Sequence, residues 1–164
     1  LITARREPVF GGVYKLAAVE KPDGEIIPKI KISENVGKIT NPHFKALYRL
    51  YDKENGKAIA DYICVHDEKI DEAAPLTIFD PDATWKRKTI RNFTARPLQV
   101  PVFQNGKQVY QSPALDDIRA YCLQQVDTLW EEVKRFDNPH QYYVDLSQRL
   151  WDIKNELLQR NAGC

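Results

Sequence analysis

The sequence contains no methionine, seven glycines and only three cysteines (Cys64, Cys122, Cys164) in 164 residues. The cysteines are odd in number and far apart. None forms a CxxC pair, which argues against a disulfide framework or a thiolate zinc site and fits a reducing compartment, expected to be the cytoplasm. No apolar run approaches the roughly 18 residues that a membrane-spanning helix needs, and the first residues lack the apolar core of a signal peptide. An excess of one charge is missing as well. The 24 Lys+Arg against 23 Asp+Glu leave a net charge of +1, so no global field draws the chain to nucleic acid or anionic lipid, and any anion site must be local. GxSxG, HExxH and the P-loop pattern are absent. A chain that opens on Leu1 inside an apolar stretch, with no Met anywhere, reads as a piece of a longer polypeptide.

What is present is an ordinary domain: 43% hydrophobic and 29% charged residues. Turn signals divide it. Val13 to Val19 alternates loosely and reads as a strand. Lys21-Pro22-Asp23-Gly24 is a turn, and Ile26 to Ser33 is the returning strand, with Pro28 favouring a sheet edge. Ser33 to His43 is a loop marked by Gly37 and Asn41-Pro42. Phe44 to Tyr51 and Ala58 to Val65 flank an Asp52 to Gly56 turn and form a second hairpin, with Phe44, Ala46, Tyr48 and Leu50 on one face. Glu68 to Ala74 is acidic and expected to be exposed. Leu76 to Phe79 reads as a short strand and Trp85 to Thr94 as a basic one. Asn105-Gly106, between Leu98–Phe103 and Val109-Tyr110, is the strongest hairpin signal.

From Ser112 the period changes. Ser112-Pro113 has the form of a helix start, and Leu115, Ile118, Cys122, Val126, Leu129 and Val133 recur at steps of three and four, a stripe assigned to the core. Asn138-Pro139 repeats that start, and Leu146, Leu150, Ile153 and Leu157 make a second stripe. Two helices joined by about three residues must run antiparallel. The expected fold class is therefore α+β: β-hairpins followed by an antiparallel helix pair, organised as residues 1–43, 44–111 and 112–164.

Chemistry-bearing residues concentrate between Gly11 and Arg49. Lys15 follows Gly11-Gly12, Lys31 precedes Ser33, and Lys38 follows Gly37. Lysines at the junction of a strand and a glycine-bearing loop hold phosphates as point charges. Three of them close together suit a pyrophosphate; they equally suit strand edges kept soluble by charge. Lys86-Arg87-Lys88 with Arg91 and Arg96 lies among Trp85 and Phe93. At this net charge it reads as a water-facing strand rather than a nucleic-acid patch. His43, His66 and His140 stand apart, His66-Asp67-Glu68 reads as a surface turn, and no metal site is expected.

The residues GGVYKLAAVE, KIS and GKITNPHFKALYRLYD, followed by GKAIAD, resemble the C-terminal part of nicotinate phosphoribosyltransferases. FTARPLQVPVFQNGK and NPHQYYVDLS are similar to the longer bacterial branch. The resemblance implies the type II phosphoribosyltransferase fold, an irregular α/β barrel beside a domain built from both chain ends. Residues 1–43 would end the barrel and form a ligand-proximal hairpin, followed by a β-rich region and the helix pair. It implies an enzyme that makes nicotinate mononucleotide and pyrophosphate from nicotinate and phosphoribosyl pyrophosphate, coupled to ATP hydrolysis with Mg²⁺. It further implies a homodimer with a shared active site, and neither nucleic acid nor membrane as partner. The family's glycine loop and phosphorylated histidine lie ahead of Leu1, so the segment alone is expected to be inactive. Lys15 matches a lysine that helps bind pyrophosphate across the dimer, and Lys31 and Lys38 fall on lysines of its phosphate side. Arg5 or Arg6 stands near a family arginine, with Glu7 at the aligned position. Lys45 and Arg49 match pattern positions without an assigned role. A rival expectation is an assembly module in which residues 44–164 brace the barrel or the dimer.

Overall fold

The computed structural model describes residues 12–161. Its first elements are β1 (Ala18–Glu20) and β2 (Ile26–Pro28), an antiparallel ribbon in which Ala18 faces Pro28. Gly24 turns the chain with a φ of 85° and donates its N–H to the Lys21 carbonyl at 2.9 Å. The strands are shorter than the alternation predicts. Pro28 has no N–H to continue the ladder, and further on the Lys31 N–H turns to the Thr40 hydroxyl at 3.4 Å. A single 3-10 turn, Val36–Lys38, is capped by the Asn35 side chain accepting from the Gly37 N–H.

The second hairpin forms as its pattern predicts, from β3 (Lys45–Asp52) and β4 (Ala58–Val65). Phe44 lies outside the strand and is exposed, but Ala46, Tyr48 and Leu50 do share the core face. β5 (Leu76–Phe79) pairs with β6 (Arg87–Ile90), and β7 (Phe93–Pro97) returns to β3. The basic strand expected over 85–94 is thus two strands. Asn92, at a φ of 54°, breaks it and sends the halves to different partners. β8 (Phe103–Gln104) and β9 (Lys107–Gln108) meet through Asn105 and Gly106, both at positive φ, as the Asn-Gly signal predicts.

The antiparallel helix pair does not form. α1 (Leu115–Asp127) is followed by one turn, α2 (Glu131–Lys134), then by β10 (Val144–Leu146) and α3 (Gln148–Asn161). β10 runs parallel to β4 and completes a sheet of order β10-β4-β3-β7. Leu146 therefore belongs to a strand. Its spacing of four from Leu150 counts across a strand–helix junction, not along a helix. Ser147 makes that junction: its hydroxyl accepts from the Leu150 N–H at 3.1 Å and donates to the Glu68 carboxylate at 2.8 Å. Asn138-Pro139 is a turn, with Asn138 at a φ of 47°. α1 starts at Leu115 without a side-chain cap from Ser112.

The sheet is covered on both faces. Alternation along β4 sends Ala60, Tyr62 and Cys64 to one core with Leu50, Ile78, Ile90 and Phe93, under the β5–β6 hairpin. Val65 goes to the other with Leu146 and Leu150, joined by Ile63, Trp151 and Ile153 of α3. The acidic stretch after β4 is partly enlisted: Glu68 also accepts from the Val65 N–H, and Glu72 from the Ala95 N–H. α1 differs. It has no buried residue, and its predicted core stripe is open, with Leu115 at 72% exposure, Leu123 at 67% and Cys122 exposed. Among the described residues, no helix is long and apolar enough to cross a membrane.

Candidate functional site

The lysine-bearing ribbon is fastened to the domain through a short knot, Asn41-Pro42-His43. Ala17 of the ribbon offers one carbonyl to two donors, the Lys29 N–H at 2.8 Å and the His43 N–H at 2.7 Å. Pro42 and His43 are buried, and His43 takes a φ of 77°, a strained setting for a residue with a Cβ. Two lysines hold the knot. Lys45 on β3 gives its ammonium group to the carbonyls of Asn41, Pro42 and His43 at 2.9, 3.3 and 2.7 Å. Lys154 on α3 reaches the Asn41 side chain at 2.9 Å. Burial lowers the pKa of both, as expected for cations moved out of water. Lys45 thus spends three donors on backbone carbonyls.

Arg49 is spent in the same way. It faces Asp61 in the β3–β4 register and pairs with it twice, Nε to Oδ1 at 2.7 Å and Nη2 to Oδ2 at 3.0 Å. The Tyr142 hydroxyl donates to the same Oδ1 at 3.1 Å, and its ring lies 5.7 Å from the guanidinium. The hydrogen bond to Asp61 raises the Arg49 pKa, so the pair stays charged. This fork ties β3 and β4 to the segment entering β10.

Lys31 and Lys38 are exposed, and Lys15 is half-buried. Among the described residues, none of the three is ion-paired with a carboxylate. Their segments adjoin: the Ala17–Lys29 bond extends the β1–β2 register, and carried two residues further it sets Lys15 opposite Lys31. The Lys31–Thr40 bond draws in the segment that follows Lys38. Arg5 and Arg6 lie outside the described residues. Among those described, no group of three or more His, Cys, Asp or Glu side chains converges on a metal position.

Sequence reasoning missed the anchors. Lys154 had a signal, a charge inside the apolar stripe Leu150, Ile153, Leu157. Asp145, buried between Val144 and Leu146, had one only if that tripeptide was read as a strand.

These features define a class: an α+β domain with a mixed four-stranded sheet backed by a terminal helix, preceded by a cationic ribbon that it holds in place. Residues 44–154 match the family model described as the nicotinate phosphoribosyltransferase C-terminal domain, and the chain belongs to that family. It is 40% identical to a nicotinate phosphoribosyltransferase of Bacillus subtilis over 94% of this chain and 31% of that protein. A Caenorhabditis elegans nicotinate phosphoribosyltransferase is 32% identical over 99% of this chain and 28% of its own length. The crystal structure of human nicotinic acid phosphoribosyltransferase superposes with a TM-score of 0.65 at 28% identity, covering 73% of this chain and 24% of that one. The chain thus spans about three-tenths of the curated relatives it matches.

Proposed function

We propose that this chain works as the C-terminal part of an enzyme that joins nicotinate to phosphoribosyl pyrophosphate, releasing pyrophosphate and nicotinate mononucleotide, with ATP hydrolysed alongside. Within it, Lys15, Lys31 and Lys38 form one pyrophosphate-binding set. The carrying observation is a division of labour among lysines: Lys45 and Lys154 are consumed in anchoring, whereas Lys15, Lys31 and Lys38 have no carboxylate partner. Fixed cations beside a leaving pyrophosphate stabilise the charge that develops as the ribose–oxygen bond breaks, and so lower the barrier. The described residues offer Mg²⁺ no ligand set of their own, so the chemistry assigned to this chain is that of its ammonium groups alone.

In the longer enzyme, Lys15→Gln, Lys31→Gln and Lys38→Gln are each expected to raise KM for phosphoribosyl pyrophosphate about tenfold, in line with a lost charge-assisted contact of about 1.5 kcal/mol. KM for nicotinate should hold, and Lys69→Gln, on an exposed loop, should change neither. Unaltered steady-state kinetics in all three variants would remove them from the site. A second role, as a brace for the barrel or for a homodimer, is favoured by the open apolar stripe of α1. Polar substitutions there should weaken assembly and leave KM per assembled site untouched.

A further inference from the structure

A second concave feature lies apart from the lysine ribbon and is independent of its reading. A groove of about 960 Å³ runs between the β5–β6 hairpin, β10 and the connection that precedes it. A recess of about 210 Å³ shares Asp80, Lys86, Lys88, Tyr143 and Asp145 with that groove. Asp145 sits in mid-strand opposite Tyr62 and is 4% exposed. Carboxylates are almost never buried this far without a partner. Yet among the described residues nothing donates to it, and the charged neighbour acting on it is another acid, Asp80. No buried side-chain oxygen is sealed from both solvent and partners, so the Asp145 carboxylate keeps its last exposure toward the recess. Lys86, on the same wall, is turned to Asp80 at 3.9 Å.

We propose that the recess formed by Asp145, Asp80, Ile78 and Tyr143 binds an organic cation, a guanidinium or alkylammonium group. Its N–H donors meet the two carboxylates, and its alkyl stem lies against Ile78 and Tyr143. A guanidinium suits the recess well, because its planar fork can serve two acceptors at once. Burial of Asp145 is then the cost of a preformed acceptor, offset when the cation arrives. The same chemistry can come from a free small molecule or from an arginine or lysine elsewhere in a longer polypeptide.

Agmatine, titrated calorimetrically into this chain at neutral pH, tests the site. Saturable binding that weakens at least tenfold in Asp145→Asn, weakens in Asp80→Asn and is unchanged in Asp127→Asn is the expected result. No saturable binding, or binding indifferent to Asp145→Asn, overturns the proposal. Asp145→Asn is close to isosteric and removes a buried charge, so it keeps the fold; the far-ultraviolet circular dichroism of the variant checks this. In a longer polypeptide carrying the chain, retained agmatine binding assigns the recess to a free molecule. Lost binding together with a lower Tm for Asp145→Asn assigns it to an internal arginine or lysine. Lost binding without that drop in Tm overturns the proposal.

Discussion

α1 and α3 are nearly equal in length, and both carry apolar residues at helical spacing. α3 seals a core: Leu150 is fully buried against Val65 and Leu146, and Trp151 meets Phe79 edge to face. α1 is held instead by polar contacts near its end. The Gln125 side chain accepts from the Tyr51 hydroxyl and from Arg96, Arg96 also reaches the Tyr121 hydroxyl, and Lys57 bonds the Asp127 carbonyl. The apolar stripe of α1 faces outward. Period reports which face of a helix is apolar; it does not report whether the surface that covers it belongs to the same chain.

The contrast can be broken at its strong end. Leu150→Ala should cost about 2–5 kcal/mol, the range for emptying a packed leucine site, read as a lower denaturation midpoint in urea. An unchanged midpoint would mean that α3 is no better packed than α1.

A smaller effect, of opposite sign, is expected one strand away. Burial and the Asp80 carboxylate push Asp145 up to about 6, from about 3.9 in an unfolded chain. Between those values the unfolded chain has released its proton while the folded one holds it, so stability falls as pH rises. Above about 6 the whole penalty is present; below about 3.9 it vanishes. In this chain, free of ligand, Asp145→Asn should therefore stabilise by roughly 2–3 kcal/mol at pH 7.5 and by little at pH 4. Thermal melts at the two pH values read this directly, and equal shifts at both would remove the buried charge as its cause.

The smallest effect belongs to α1. Leu115→Ser with Ile118→Ser should move the stability of this chain by no more than about 0.5 kcal/mol, as exposed substitutions do. In a longer polypeptide that covers the stripe, the same pair should cost several times more. Equal small effects in both settings would leave the stripe without a partner.

Much of the β-structure was legible because its signals are local. The β3–β4 hairpin follows from alternation on either side of a turn, and the β8–β9 hairpin from Asn-Gly. The split between β6 and β7 was hidden, since Asn92 is a mild breaker and basic residues continue on both sides of it. β10 was hidden more deeply. Three residues carry almost no period, and their pairing with β4 is set by contacts distant in sequence. Once Leu146 was counted with Leu150, a strand was absorbed into a helix. The site divides along the same line. Lysines beside glycines were visible as candidates, but the separation of anchoring Lys45 from unpaired Lys31 and Lys38 depends on where the Asn41–His43 carbonyls point. The segment boundary drawn at 111/112 is crossed by β10, which returns to the sheet begun at Lys45.

That return has a kinetic side. β3, β4 and β7 pair with neighbours close along the chain, whereas β10 and α3 come from its far end. Closing the outer edge of β4 must therefore await a slow, long-range encounter, and until it happens the backbone donors and acceptors there are bare. On a ribosome, the sheet would emerge with one raw edge and stay so until Leu146 and Leu150 were made. The last stretch of the chain is then a guard against strand exchange between nascent copies, as well as half of a core.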